Sequence, residues 1–451
     1  MMRSNLRFLH GKKKAFQNTA LAAGALIVFG CTWTRFDDVT DNPPVERFET
    51  PSSTSNLGLS IATYSGAIGT KLVASANERI ALYDLGTGTN PATTATSSQS
   101  CAGDNSCILA RNLAAVKSEA LTDNTGCVAY GMGTVTESSG TASGKIWLYC
   151  EDAARHSLDL PPKMQSWLAS TSLTHQSTFF GASPRDWTTA ALVAASPNAS
   201  LAWFYPGSTA TAIELPALPD GKYVGRALAV IPHDSSYTIA ASSQTTNEVY
   251  VFEVDATGTP SLTGCLAGPE QFGRLLSSGK FTVGSSATSL LVADAWTIYA
   301  IDVSPSALPA PSATPTCIDV AAATNAVKAS CASVGNVNGC GSQPFAASIA
   351  AANLDGIDID ELVVGAPETN VRGESAAGAV FVYARDGNEF KVTDGLFVSS
   401  ATSGDRLGTS VAAAPAAGID RIVAGAPGDN SVMEFFCNSR VPAGAKAARC
   451  P

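Results

Sequence analysis

One short phrase recurs seven times along the chain. It reads Val73-Ala-Ser-Ala76, Val128-Ala-Tyr-Gly131, Val193-Ala-Ala-Ser196, Ile239-Ala-Ala-Ser242, Val292-Ala-Asp-Ala295, Val364-Gly-Ala-Pro367 and Val423-Ala-Gly-Ala426, at intervals of 55, 65, 46, 53, 72 and 59 residues. After each comes a run such as Ile80-Ala-Leu-Tyr83, Ile146-Trp-Leu-Tyr149, Val249-Tyr-Val-Phe252 or Val380-Phe-Val-Tyr383, whose aromatic and β-branched residues favour strands. Ahead of several phrases stands a glycine followed by a small or apolar run, as in Leu57-Gly-Leu-Ser-Ile61, Phe272-Gly-Arg-Leu275 and Leu407-Gly-Thr-Ser-Val411. Any β protein rich in Ala, Val and Ser holds such phrases by chance, but not in this shared order. Three strands and room for a fourth per unit describe a propeller blade. The expected fold is therefore all-β, a seven-bladed β-propeller over residues 57–451, whose small residues suit inner strands converging on a narrow axis.

Composition agrees with many short strands joined by turns: 45% of the residues are hydrophobic, only 15% are charged, and there are 39 Gly and 24 Pro,. Residues 1–30 read instead as a targeting segment, with Arg3, Arg7, Lys12, Lys13 and Lys14 ahead of the apolar run Ala20–Phe29,. That run is shorter than the roughly 20 residues a membrane span needs. Val28-Phe29-Gly30-Cys31 resembles the bacterial lipobox, in which the cysteine is acylated and becomes the new N-terminus; Phe29 departs from the small or polar residue usual there. An ordinary signal peptide cleaved elsewhere is the alternative. Residues 31–56 are rich in Pro, Ser, Thr and Asp and read as a flexible tether,. Within them Val45-Glu-Arg-Phe-Glu-Thr50 alternates enough to supply the strand that the short C-terminal unit lacks. The expected setting is an exported lipoprotein of the outer membrane, facing the cell surface or the periplasm.

The chain has 11 cysteines, and an odd number in an exported chain leaves one over. With Cys31 assigned to the lipid, the rest fall into near neighbours: Cys101 with Cys107, Cys127 with Cys150, Cys265 with Cys317, Cys331 with Cys340, and Cys437 with Cys450. Five local disulfides are expected in an oxidising compartment. The formal charge is −10, and because positions 1–30 hold five basic and no acidic residues, the remainder carries −15. Such a surface disfavours nucleic acid and anionic headgroups.

The sixth unit opens with Asn353-Leu-Asp-Gly-Ile-Asp-Ile-Asp-Glu-Leu-Val-Val-Gly-Ala-Pro367 and continues to Gly378-Ala-Val-Phe-Val-Tyr383; the seventh has Leu407-Gly-Thr-Ser-Val411 and Gly425-Ala-Pro427. This pattern resembles the FG-GAP repeat of the integrin α-chain propeller, well in these two units and in outline in the other five. The resemblance implies a Ca²⁺ loop with side-chain oxygens from Asn353, Asp355 and Glu361 and a backbone carbonyl from Ile359. Ile357 stands where a further oxygen ligand is expected and Asp358 where the family prefers Gly. Fewer carboxylates mean weaker binding, since Ca²⁺ takes six to eight oxygens. The alternative is an acidic turn capped by its own side chains. The seventh unit has Arg421 where the last carboxylate would be, so one site at most is expected.

The motifs of serine and zinc hydrolases and of the Walker loop are absent from the sequence,. His156, His175 and His233 are scattered, and no Cys-x-x-Cys pair occurs,. A carboxylate-based glycosidase would need two acids brought together from different loops, with Asp84, Asp186, Asp294 and Asp360 as candidates at a central mouth. The expected role is non-enzymatic: binding or adhesion toward a protein or glycan at the propeller loops, including long segments at Asn90–Asn112 and Ser304–Ser342. A periplasm-facing scaffold for envelope protein assembly and a carbohydrate-active enzyme are the alternatives.

Overall fold

The computed structural model describes residues 45–49 and 56–435, the latter with interruptions at 67–68, 78, 86–94, 96, 101–106, 117–125, 137–141, 151–154, 171–178, 183–190, 197–200, 207–210, 219–223, 234, 244–245, 282–287, 304–315, 324–325, 332, 335–336, 339–343, 358 and 416–418. The targeting segment, Cys31, Cys101, Asp186, His175, Cys340, Asp358, Cys437 and Cys450 therefore lie outside the described residues. What is described is all-β: thirty-two strands and the single helix Pro162–Ser170.

The strands form successive antiparallel meanders of four, the fourth extended by a parallel fifth strand at Ile318–Asp319 and the fifth and sixth joined into one eight-stranded sheet where Lys328 bridges Glu389 in parallel. The first comprises Ile61–Ser65, Thr70–Ala76, Arg79–Asp84 and Ser97–Ser100; the second Cys107–Val116, Cys127–Thr136, Ala142–Cys150 and Arg155–Asp159; the third Phe179–Ala182, Leu192–Ser196, Leu201–Tyr205 and Ile213–Glu214. The fourth comprises Val224–Pro232, Tyr237–Ser243, Glu248–Val254 and Pro260–Ala267; the fifth Leu275–Gly279, Ser289–Ala293, Thr297–Ile301 and Val327–Ser330; the sixth Ser348–Ala352, Glu361–Ala366, Ala379–Asp386 and Glu389–Leu396. The seventh takes Val411–Ala414, Arg421–Ala426 and Ser431–Phe435 from the C-terminal region and Val45–Glu49 from the N-terminal one. Each recurring phrase begins on a second strand and each aromatic run on a third.

The first strand of each meander touches the first strands before and after it, and that of the seventh touches that of the first, so the first strands close a cycle. Seven apolar clusters fill the junctions between neighbouring meanders. The alternation of strand faces explains this. Ile422 and Ala424 face the sixth meander, whereas Val423 faces the first,. Both faces of such a strand are buried, so its sequence reads as a continuous apolar run rather than an alternating one.

The two long segments expected as loops are partly strand. Asn90–Asn112 contains the fourth strand of the first meander and begins the first strand of the second, and Ser304–Ser342 contains Val327–Ser330, the fourth strand of the fifth. In the later segment Ser333–Val334 also pairs with Val337–Asn338, which in turn pairs with Asn370–Val371 of the sixth meander. Two of the expected disulfides are formed: Cys127–Cys150, which joins register partners on adjacent strands, and Cys265–Cys317, beside which Leu266–Ala267 pairs in parallel with Ile318–Asp319. Cys331 is also disulfide-bonded.

Within the segment read as a tether, Val45–Glu49 supplies the closing strand expected of Val45–Thr50. It lies antiparallel to Ser431–Phe435 from Val45 opposite Phe435 to Glu49 opposite Ser431. Phe48 is fully buried, stacks edge-on against Tyr83 of the first meander at 5.4 Å, and joins the cluster between the seventh and first meanders. Arg47 donates to Asp429 at 2.9 Å, and the Tyr83 hydroxyl donates to the Glu49 carbonyl at 3.1 Å. One strand thus pairs with the chain's far end and packs on its beginning, covering an edge that would otherwise be open. Phe48→Ala is expected to cost about 3–5 kcal/mol in urea unfolding, whereas Arg47→Ala, which breaks an exposed pair, is expected to cost under about 1 kcal/mol.

Candidate functional site

Strand direction defines two ends of the molecule. First strands begin at one end, here the mouth, and finish at the other, here the far end. The loop Asn353–Glu361 connects a first strand to a second and therefore lies at the far end. Its polar groups fold it on itself. The Asn353 Oδ1 accepts the Gly356 N–H at 2.7 Å, the Asp355 Oδ1 accepts the Ile357 N–H at 2.8 Å, and the buried Glu361 Oε2 accepts the Leu354 N–H at 2.8 Å. Gly356 adopts φ 72° and Ile357 is 56% exposed. Asn353, Asp355 and Glu361 are thus gathered around one turn, with Ile359 half-buried beside them. Among the described residues, the one group of three acidic, cysteine or histidine side chains with converging ligand atoms is Glu248, Cys265 and Cys317. Its two sulfurs form a disulfide and are not thiolate donors.

The carboxylate next to this loop does something that the sequence pattern did not indicate. Asp360 is buried, its Oδ2 accepts the Lys280 N–H at 2.7 Å, and its own N–H donates to the Lys280 carbonyl at 2.7 Å. Lys280 directly follows the first strand of the fifth meander. One meander onward the arrangement repeats: the Asp420 Oδ2 accepts the Asn353 N–H at 2.8 Å, and the Asp420 N–H donates to the Asn353 carbonyl at 2.7 Å. Each Asp clamps the backbone at the end of the preceding first strand, satisfying a donor and an acceptor that the sheet leaves over. Round the cycle, Thr70 donates its hydroxyl to the Pro415 carbonyl. Arg421, expected only as a missing ligand, forms a buried ion pair with Glu434 and donates to the Leu85 carbonyl at 3.0 Å.

The first strands enclose an axial cavity of about 160 Å³, lined by residues of every meander including Ile61, Ala114, Leu228, Ser277, Ala350 and Ala412. At the mouth it widens to about 310 Å³ among Leu59, Ser60, Asn112, Arg274, Ser348 and Thr409. Of the four carboxylates expected there, Asp186 lies outside the described residues and the other three are elsewhere: Asp360 is in its clamp, Asp84 pairs with Lys71, and Asp294 is buried in a turn. They do not line the axial cavity or its mouth. His233 bonds Thr238 through Nε2 at 2.8 Å.

Two residues that sequence reading passed over stand out at the mouth. Among the described residues Arg274 is the one charged side chain lining the axial mouth, and it also lines a second cleft of about 310 Å³ with Glu270, Gln271, Asn247 and Thr246. Trp296 tips the turn between the second and third strands of the fifth meander and is 47% exposed. Asp294 builds that turn: its Oδ1 accepts the Trp296 and Thr297 N–H groups at 2.7 and 2.6 Å, and its Oδ2 accepts the Tyr299 hydroxyl at 3.0 Å. Burial and the Asp294 charge push that hydroxyl up to about 12. Arg274 donates from Nη2 to the Asp294 carbonyl at 3.3 Å.

The lead-in to the first strand is built alike in three places. Asn56, Gln271 and Arg406 have φ of 66°, 64° and 59°; each is followed by a buried Leu or Phe and then by Gly58, Gly273 or Gly408 with φ of 90°, 82° and 88°. No protein-family model matches this chain, and no curated protein matches it by sequence.

The clamps yield a direct expectation. Asp360→Ala strands a backbone donor at the fifth–sixth junction, and Asp420→Ala strands one at the sixth–seventh. Each is expected to lower stability by about 1–3 kcal/mol in urea unfolding, and the double variant to add the two within about 0.5 kcal/mol because the junctions are separate.

Proposed function

We propose that the chain is a seven-bladed β-propeller of the integrin-α FG-GAP type, exported, anchored by a lipid on Cys31, and acting as a binding module for a protein or glycan at its mouth end. The cycle of first strands, the single apolar cluster at each junction and the recurring lead-in turns support the propeller reading. The observation that carries the functional reading is the direction of the N-terminal strand. Val45 pairs with Phe435 at the far end and Glu49 with Ser431 at the mouth end. A chain anchored upstream of Val45 therefore joins the fold from the far end, and the face with Arg274, Trp296 and the widened cavity is turned away from the anchor. Variable connections on a rigid scaffold, placed outward, are where recognition is expected. The small sheet of Ser333–Val334, Val337–Asn338 and Asn370–Val371 adds to this end.

Anchoring and binding are tested together. Cys31→Ser is expected to move the protein from the membrane to the soluble fraction, with an acyl group found by mass spectrometry on the wild type alone. The anchored protein is expected to retain a protein or glycan from solubilised envelope, and Leu59→Glu at the mouth to reduce retention while Ile357→Glu at the far end does not. Retention lost only with the far-end variant would reverse the assignment of faces.

For the loop Asn353–Glu361 we infer a weak Ca²⁺ site whose part is structural. The loop is remote from the mouth, and Asn353 is already tied to Asp420 of the next meander. A cation there would brace the sixth–seventh junction by drawing Asp355 and Glu361 together. With Ile357 supplying no oxygen, the dissociation constant is expected at about 10⁻⁴ to 10⁻³ M, so millimolar Ca²⁺ raises the melting temperature by mass action. Asp355→Ala abolishes that shift. A melting temperature indifferent to Ca²⁺ would leave the loop as a self-capped acidic turn.

A further inference from the structure

We propose that reduction of the Cys265–Cys317 disulfide turns one edge of the fourth meander into a Zn²⁺ site, with Cys265 and Cys317 as thiolate ligands and Glu248 as the carboxylate. The sheet itself brings the three together. Tyr250 is the register partner of Cys265, and Glu248 stands two residues before Tyr250 on the same strand and therefore on the same face. A long side chain in that place reaches its diagonal neighbour on the next strand. Leu266 then pairs in parallel with Ile318, which sets Cys317 beside Cys265 on the third of three adjoining strands. The carboxylate and the two sulfurs consequently offer ligand atoms within 4.8 Å of one another.

Each group suits the metal. Thiolates are soft donors that select Zn²⁺ over Ca²⁺ or Mg²⁺, and two sulfurs with one carboxylate oxygen leave the fourth tetrahedral position open. The Glu248 carboxylate is already held in place, since its Oε2 accepts the Thr246 and Tyr250 hydroxyls, each at 2.7 Å. Outer partners of this kind orient a ligand and strengthen its hold on the metal. While the bridge is intact its sulfurs are not donors, and a dithiol supplies the change. It gives two electrons and two protons to the S–S bond and becomes a disulfide itself; each cysteine thiol then releases its proton to solvent as the metal binds. Cys265 is fully buried and Cys317 half-buried, which leaves the Cys317 end the more open to an attacking thiolate, whereas both cysteines of the Cys127–Cys150 bridge are buried. The two states exclude one another. Because Cys317 directly precedes the strand Ile318–Asp319 that extends the meander, the metal takes over the tether that the disulfide provides.

The test uses the full-length protein in detergent, reduced with a phosphine, desalted under nitrogen and titrated with Zn²⁺ or Co²⁺ alone. Reduced protein is expected to take up the ion and, with Co²⁺, to show a thiolate-to-metal absorption band that oxidised protein lacks. The double variant Cys265→Ser/Cys317→Ser, treated in the same way, is expected to stay folded and to lose that band. Tyr250→Phe is expected to weaken binding about tenfold, and Glu248→Gln by more than that with the band retained. Zn²⁺ is also expected to slow re-formation of the bridge in air, followed by peptide mass mapping. A band unchanged in the double variant would place the metal on other cysteines. Binding indifferent to Glu248→Gln would remove the carboxylate, and a double variant that no longer melts cooperatively would show that the edge is not preformed without its bridge. Each of these results overturns the proposal, as does reduced, folded protein that takes up no metal.

Discussion

The closest approach of backbone to backbone between neighbouring meanders sets the geometry on which the rest depends. A Cβ placed on Gly365 would lie 2.0 Å from the Gly408 carbonyl oxygen, and one on Gly425 would lie 2.0 Å from the Gly58 carbonyl oxygen. The second strand of one meander therefore touches the lead-in turn of the next with no side chain between them. The turn itself needs positive φ at Gly408 and Gly58, which glycine adopts without strain. Hydroxyls fasten the same seam: Ser348 donates to the Gly408 carbonyl at 3.0 Å and Ser410 to the Gly58 carbonyl at 2.8 Å. Between the fourth and fifth meanders Ser242 takes the glycine's place, and its Cβ is the nearest atom to a Cβ built on Gly273, at 2.9 Å. Small residues recur in the phrase because each is a contact point between units.

That constraint explains how much of the fold was legible. The phrase recurs seven times, the close approach is seen at three of the junctions, and the second and third strands fell where the repeat placed them. The N-terminal strand was legible for a different reason, since its alternation matched a missing edge. Fourth strands were hardest to read. Ser97–Ser100, Ile213–Glu214 and Val327–Ser330 are short and polar or mixed, and the first and last of them blended into the segments taken as loops. The helix Pro162–Ser170 went unread because it carries little amphipathic pattern, although Met164 is fully buried against the second–third junction.

The candidate sites were less legible, because one residue type serves two purposes. Four acidic residues between positions 355 and 361 read as a single cation loop, yet Asp360 points its carboxylate at the backbone of the preceding meander while Glu361 closes the loop and Asp355 caps it. Only the spatial neighbour Lys280, eighty residues earlier, separates the clamp from the ligands. Asp420 is the better guide: it keeps the clamp in a unit that has lost the rest of the acidic pattern. Arg274 and Trp296 gave no signal at all, since neither belongs to a motif and their relation runs through the carbonyl and carboxylate of Asp294.

Separation of these roles along the axis has a further consequence. The clamps, the acidic loop and the entry point of the N-terminal strand at Val45 sit at the far end, and the axial mouth, the turn of Trp296 and the second cleft sit at the other. The lead-in seams share the mouth end with the cavity, since Ser348 and Ser410 line the mouth and also donate to the Gly408 and Gly58 carbonyls, so substitutions confined to the connecting turns leave the seams alone while substitutions at these serines do not. The exception is Arg274, which directly follows Gly273 of a lead-in turn and donates to the neighbouring turn. It belongs to the scaffold through its backbone and to the mouth through its guanidinium. Its backbone follows the glycine that meets Ser242 of the fourth meander, and its guanidinium turns toward the Asp294 carbonyl of its own meander, so a change at this one residue bears on the seam and on the mouth together.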